Sequence, residues 1–278
     1  MIIELFGPPG AGKTTFARSL TARLRERGHL AELWLSYRPT EGLPVLDSSG
    51  ASAGRYPAGR YQNVVMHRLR RPLSEMLMIA RHPFANSRDV RTAVHLVKLL
   101  PPTNIFASIK KGQYISRLSH AWHEKSGAEH IVLFDQGFVQ AVCSLALLAG
   151  VTNDASIADA LDYVPISDLL IRLEAPLEVL KIRLNDRRRL QSTIEQLFEA
   201  DLKTSLASVA MIDRLHKLLL QRGRSVLSAS SLDQRSLGES VNMVEKEIIE
   251  KLQNRARRSS VTTTVRVAAS HHGENRHG

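Results

Sequence analysis

An α/β fold, a parallel sheet covered by helices on both faces, is predicted by three observations. Short apolar runs recur along the chain, each followed by a stretch with helical spacing. The first run, Met1 to Phe6, leads straight into Gly7-Pro8-Pro9-Gly10-Ala11-Gly12-Lys13-Thr14, which satisfies G-x-x-x-x-G-K-[ST] at every fixed position. Behind that loop, apolar residues at 16, 17, 20 and 24 mark one face of a helix. Strand, glycine loop and helix together form the setting in which backbone N–H groups wrap a polyphosphate and a helix N-terminus adds its dipole.

The elements follow in order. The first strand covers residues 1–6, and its helix runs to about Arg27, with Gly28 as the stop. His29 to Leu35 reads as the second strand. From Arg38 to Pro57 the chain is rich in proline, glycine and serine and reads as a loop. Helices are expected at about 62–80, 86–99 and 104–124, separated by breaks at Arg81-His82-Pro83 and Pro101-Pro102. Ile131 to Phe134 is the third strand, ending at Asp135, and a helical run follows it. Asp168 to Leu173 is the fourth strand. Helices at about 176–190 and 193–222 come next, then a fifth strand at 225–229 and a closing helix from Leu237 to Gln253. From Arg255 onward, arginine, serine, threonine and histidine with little helical period read as a disordered tail. The expected division is one domain over 1–253, with an acceptor-binding helical segment at about 38–130 and a lid at about 181–192, followed by a basic tail over 254–278.

Composition narrows the function classes. The 278 residues, 43% hydrophobic and 23% charged, suit one large globular domain. Because the first strand starts at Met1, no leader is expected, and the longest apolar stretch, Ala141 to Val151, is too short to span a bilayer. The single cysteine, Cys143, fits a reducing compartment and a buried packing role, so a cytoplasmic location is expected. Lys plus Arg outnumber Asp plus Glu 38 to 27, a net charge of +11. That balance suits polyanions, and phosphates account for it without nucleic acid. No membrane partner is expected; the oligomeric state is left open, a homodimer included.

Within the loop, Lys13 is expected to reach the β- and γ-phosphates of a nucleoside triphosphate, while the Thr14 hydroxyl ligates Mg²⁺. Thr15 closes the nucleotide-binding stretch. Asp135 is the second anchor. A carboxylate delivered at the carboxyl end of an apolar strand can hold Mg²⁺ or orient and deprotonate an acceptor hydroxyl; the alternative is an N-cap for the helix that follows. Gln136 and Gly137 would lie at the site's edge. Arg183 and Arg187, four apart, share a helical face and could neutralise charge building on the transferred phosphoryl group, or form a solvated basic face. Arg189 is a weaker candidate. On the acceptor side, Arg68 and Arg71 share one helical face and Arg88 and Arg91 another, suited to a phosphate or carboxylate. His120-x-x-His123 lacks acidic or cysteine partners in sequence and reads as a surface feature.

Taken together, the 7–14 loop, the strand ending in Asp135, the run Leu170 to Leu180 leading into Arg183 and Arg187, and the final strand and helix resemble P-loop kinases of the thymidylate kinase and nucleotide kinase type. The resemblance covers roughly residues 1–253. It implies a P-loop NTPase architecture, three-layer α/β/α with a five-stranded parallel sheet in order 2-3-1-4-5. It also implies ATP with Mg²⁺ as donor and transfer of the γ-phosphate to a small-molecule acceptor, a nucleoside or nucleotide first. In that family an arginine follows the carboxylate, whereas this chain has Asp135-Gln136-Gly137, which leaves the acceptor open.

Other classes fit less well. A GTP switch would use Asp47-Ser48-Ser49-Gly50 as D-x-x-G, but no apolar strand leads into it and no Asn-Lys-x-Asp occurs. A P-loop ATPase driving a macromolecular partner would need a glutamate beside Asp135, where Gln136 stands. A nucleotide-binding regulator shares the same binding residues and is separated only by assay.

Overall fold

Alternation along each strand divides the apolar residues between two faces of one sheet. The structure, a computed structural model, describes residues 1–36, 87–151, 153–190 and 202–273. Among these, the strands are β1 (Ile2–Phe6), β2 (Ala31–Trp34), β3 (Ile131–Phe134), β4 (Leu169–Glu174) and β5 (Val226–Ser230). All pair in parallel, in the order β2-β3-β1-β4-β5. The helices are α1 (Lys13–Glu26), α2 (Ser87–Leu99), α3 (Ile105–Lys125), α4 (Phe138–Ala149), α5 (Asp154–Tyr163), α6 (Leu177–Leu190), α7 (Leu202–Gln221) and α8 (Gln234–Gly273). The central strand β1 feeds the glycine loop, and helices cover both faces of the sheet.

Side chains at every second strand position share a face. Ile2 and Phe6 of β1, with Val132, Phe134 and Leu170, pack under α2, α3, α4, α5 and α7. Ile3 and Leu5, with Leu133, Ile171 and Leu173, pack under α1, α6 and α8. Because both faces of the sheet are covered, β1 and β3 are buried along their whole length and read as unbroken apolar runs. The exception is Glu4, whose even-numbered position sends its carboxylate to the α4 face.

Several elements are fixed by polar contacts. Asn104 caps α3 by accepting from Phe106 N at 2.8 Å, and Asn153 caps α5 by accepting from Ala155 N at 2.9 Å. Helix α7 is tied to β4 by Arg172, which lies 2.5 Å from both Asp213 Oδ1 and His216 Nδ1. Burial, then the charge of Arg172, lowers the His216 pKa. On the opposite face the buried Glu245 of α8 receives Arg23 at 3.3 Å and Arg27 at 3.4 Å from α1.

Four sequence expectations change. The chain from Arg255, read as disordered, instead continues α8 to Gly273. Its charged composition suggested a tail, but no glycine or proline interrupts residues 239–272, so nothing stops the helix. Helix α5 was not anticipated. The His120 and His123 pair does have an acidic partner: Asp89 of α2 lies 3.0 Å from His123 Nδ1 and 3.4 Å from His120 Nδ1, which joins α2 to α3. The fourth strand, expected to end at Leu173, runs one residue further, to Glu174. The expected helix at 62–80, the 38–57 loop and the arginines at 68 and 71 lie outside the described residues, as do the side chains of Arg187 and Arg189. No group of three or more His, Cys, Asp or Glu side chains suited to a metal ion occurs among the described residues, and no described helix is long and apolar enough to cross a membrane. Cys143 is fully buried in α4, and burial pushes its thiol up to about 12, as a packing residue requires.

Candidate active site at the carboxyl ends of the strands

The loop between β1 and α1 turns on glycines. Gly7, Gly10 and Gly12 have φ of 151°, 83° and 87°. Two of them have no room for a side chain: a Cβ at Gly7 would lie 2.5 Å from Leu173 O, and one at Gly12 would lie 2.6 Å from Ser231 Oγ. Ala11 N donates to Pro8 O at 3.2 Å, closing the turn, and Gly12 O accepts from Phe16 N at 2.9 Å as α1 begins. Pro8, Ala11 and Lys13 are buried, Pro9, Gly10, Gly12 and Thr14 half-buried, and Thr15 exposed. Lys13, 8% exposed, curls into the loop and donates from Nζ to Gly7 O at 2.7 Å and Pro8 O at 2.9 Å. A positive charge is thus held at the centre of an amide-rich concavity at a helix N-terminus, an arrangement built for an anion.

Asp135 comes to this loop from 121 residues away. Its Oδ2 accepts from Thr14 Oγ1 at 3.0 Å. Its Oδ1 accepts from Ser36 N at 2.7 Å, just past β2, and its own N–H donates to Trp34 O at 3.2 Å. Asp135 is only 1% exposed, and its orientation is set by Thr14 at the start of α1 and by the backbone at the end of β2. It is not an N-cap. Helix α4 starts after Gly137, which offers no side chain to cap it.

The capping is done instead by a residue that the sequence reading passed over. Glu4, 1% exposed, accepts from Val139 N in the first turn of α4 at 2.5 Å. Burial pushes its carboxyl up to about 8, against the pull of the Val139 and Gln140 N–H groups and the charge of Arg224. Gly137 makes room for it: a Cβ at that position would lie 2.4 Å from Glu4 Cδ. One residue further, Gln140 Oε1 accepts from Gly7 N at 3.1 Å, in buried surroundings. Tyr114 of α3 donates to Gln136 O at 3.0 Å, and Lys111 sits one turn away with Nζ 5.9 Å from that ring's centroid. Burial lowers the Lys111 pKa and raises that of Tyr114. A lone glutamate within an apolar strand was the one signal in the sequence that could have pointed to this layer.

Arg183 also meets the loop. It donates from Nη1 to Gly10 O at 3.0 Å, and from Nη2 to Ser231 O at 2.8 Å and Leu232 O at 2.7 Å. Its guanidinium therefore staples α6, the glycine loop and the segment after β5 into one wall. Arg183→Ala should raise the dissociation constant for nucleotide by about tenfold, because three charge-assisted bonds that hold the wall are lost. Equilibrium binding of a fluorescent nucleotide checks this, and unchanged affinity would reduce Arg183 to a surface residue. Lys13, Thr14, Asp135 and Arg183 thus gather around one loop.

Two structures of a deoxyadenosine kinase from M. mycoides are similar to this chain. One holds the products dCMP and a flexible dCDP; it is 13% identical, with a TM-score of 0.42, and the match covers 91% of this chain and 99% of that one. The other, with bound dATP, is 14% identical with a TM-score of 0.43, covering 91% and 100%. No protein-family model matches the sequence, and no curated protein is significantly similar to it.

Proposed function

We propose that the chain is an ATP-dependent phosphotransferase that moves the γ-phosphate of Mg-ATP to a small-molecule acceptor, with nucleosides and nucleotides the first class to test. The observation that carries this reading is the meeting of Thr14 Oγ1 and Asp135 Oδ2 at 3.0 Å beside the buried Lys13. Phosphoryl transfer asks little covalent chemistry of a protein and depends on positioning and charge neutralisation. In this reading the loop amides and the α1 N-terminus hold the phosphates, and Lys13 delivers its charge where they would be wrapped. The oxygens of Thr14 and Asp135 fit Mg²⁺, which takes hard oxygen ligands and needs few from the protein when phosphates supply the rest. Thr14 would bind it directly and Asp135 directly or through water. Once bound, the ion neutralises charge on the phosphate oxygens. Asp135 also serves as the group that orients the acceptor hydroxyl and takes its proton. Arg183 and Arg187 complete the donor side from α6, in the stretch read as a lid. The segment at about 38–130 would supply the acceptor side, and the thymidylate kinase type is one candidate among several.

ADP release from Mg-ATP, measured with and without nucleosides, nucleotides, sugars and aminoglycosides, tests the reading. Stimulation at least about tenfold by one compound establishes transfer and names the acceptor. Steady hydrolysis that only a protein or nucleic acid stimulates would replace it with an ATPase driving a partner.

A further inference from the structure

We infer that Glu4 and Gln140 are positioning residues that brace the phosphate loop through the first turn of α4. The inference rests on the phosphate-binding reading above, but not on the acceptor's identity. Three contacts make the brace. Glu4 Oε1 holds Val139 N at 2.5 Å, Gly137, lacking a Cβ, lets that carboxyl pack against its backbone, and Gln140 Oε1 holds Gly7 N at 3.1 Å. Glu4 belongs to the rigid centre of the sheet, paired in register with Phe134 on one side and Leu170 on the other. Gly7 is the first residue of the loop, and its own conformation is tight, since a Cβ would lie 2.5 Å from Leu173 O. The position of its amide therefore passes from β1 through α4 and back to the loop, by a route other than the peptide chain. A buried carboxyl group is a costly way to cap a helix, and a serine or asparagine at position 137 would be the cheaper one. What the costlier cap provides is a fixed distance between α4 and β1. The charged or titratable groups that influence Glu4 are Arg224, beyond α7, and Tyr114 of α3.

The test uses the full chain with Gln140→Leu, Glu4→Leu and Glu4→Gln. Gln140→Leu removes only the acceptor for Gly7 N and keeps the side chain's bulk in an apolar helix. It should weaken ATP binding by about tenfold and, because it leaves the buried Gly7 N–H without an acceptor, lower the melting temperature by several degrees while the protein still folds. Glu4→Leu should match or exceed that loss. Glu4→Gln retains an oxygen for Val139 N and should bind within about threefold of the unchanged protein at pH 6.5. Wild-type affinity should also vary between pH 7 and 9, where Glu4 ionises, and the glutamine variant should flatten that profile. Folded Gln140→Leu and Glu4→Leu proteins that bind ATP like the wild type would overturn the brace. If the wild type binds no nucleotide, amide exchange at Gly7 decides: faster exchange in Gln140→Leu supports the brace and unchanged exchange overturns it.

Discussion

Lys13→Ala is expected to lower turnover by ~10³-fold or more, with a smaller loss of nucleotide affinity. The ammonium is buried inside the loop and held by two carbonyls, so its charge sits where water cannot screen it well. Charge on the phosphoryl oxygens redistributes as the bond to the leaving group breaks, and a fixed cation there stabilises the transition state more than the ground state. Turnover should therefore fall further than binding. Lys13→Met separates charge from packing, because it keeps most of the apolar stem in place. Both variants should fold, since the loop's turn depends on glycines and on the Ala11-to-Pro8 bond rather than on the ammonium. Steady-state kinetics beside a thermal melt checks this. A folded Lys13→Met protein with turnover within tenfold of wild type would remove Lys13 from the mechanism.

What could be read from the sequence was the part that is local. The loop at 7–14 is a contiguous motif, and the strands at Ile2–Phe6 and Ile131–Phe134 are legible because a parallel sheet buried on both faces needs apolar runs. Asp135 stood out because it ends such a run. The strand order came from resemblance rather than from any property of the runs themselves. Other features depend on contacts between distant segments. Glu4 looks like one polar interruption in a short strand until α4 is seen to place Val139 N upon it. Arg183 was legible as half of a basic helical face, but its acceptors, Gly10 O, Ser231 O and Leu232 O, are 173, 48 and 49 positions away. Asp89 joins His120 and His123 only because α2 packs along α3. The tail was misread for a different reason. Composition reports a lack of apolar surface, whereas a helix already started needs a breaker to end it, and none appears before Gly273.

Asp135→Asn should lower turnover by ~10²- to 10³-fold while ATP affinity changes by less than about fivefold. The substitution is unusually clean because both oxygens of the carboxylate have identified partners. Asparagine can keep its oxygen on Ser36 N and turn its amide toward Thr14 Oγ1, which can accept as well as donate. Geometry is retained and the negative charge alone is lost. If Asp135 acts on the acceptor hydroxyl, that charge matters only as the proton leaves, so turnover falls and binding holds. If it acts chiefly on Mg²⁺, affinity for Mg-ATP falls in parallel and excess Mg²⁺ restores part of both. Kinetics and nucleotide binding measured across Mg²⁺ concentrations separate the two, because only the metal role gives rescue. Asp135→Ala is the necessary companion. It strands a buried Ser36 N–H without an acceptor, which costs about 1–3 kcal/mol of stability, whereas the asparagine variant should melt close to the wild type. An asparagine variant as unstable as the alanine one would mean that the charge itself, and not the hydrogen bonds, holds β2 and β3 to the loop.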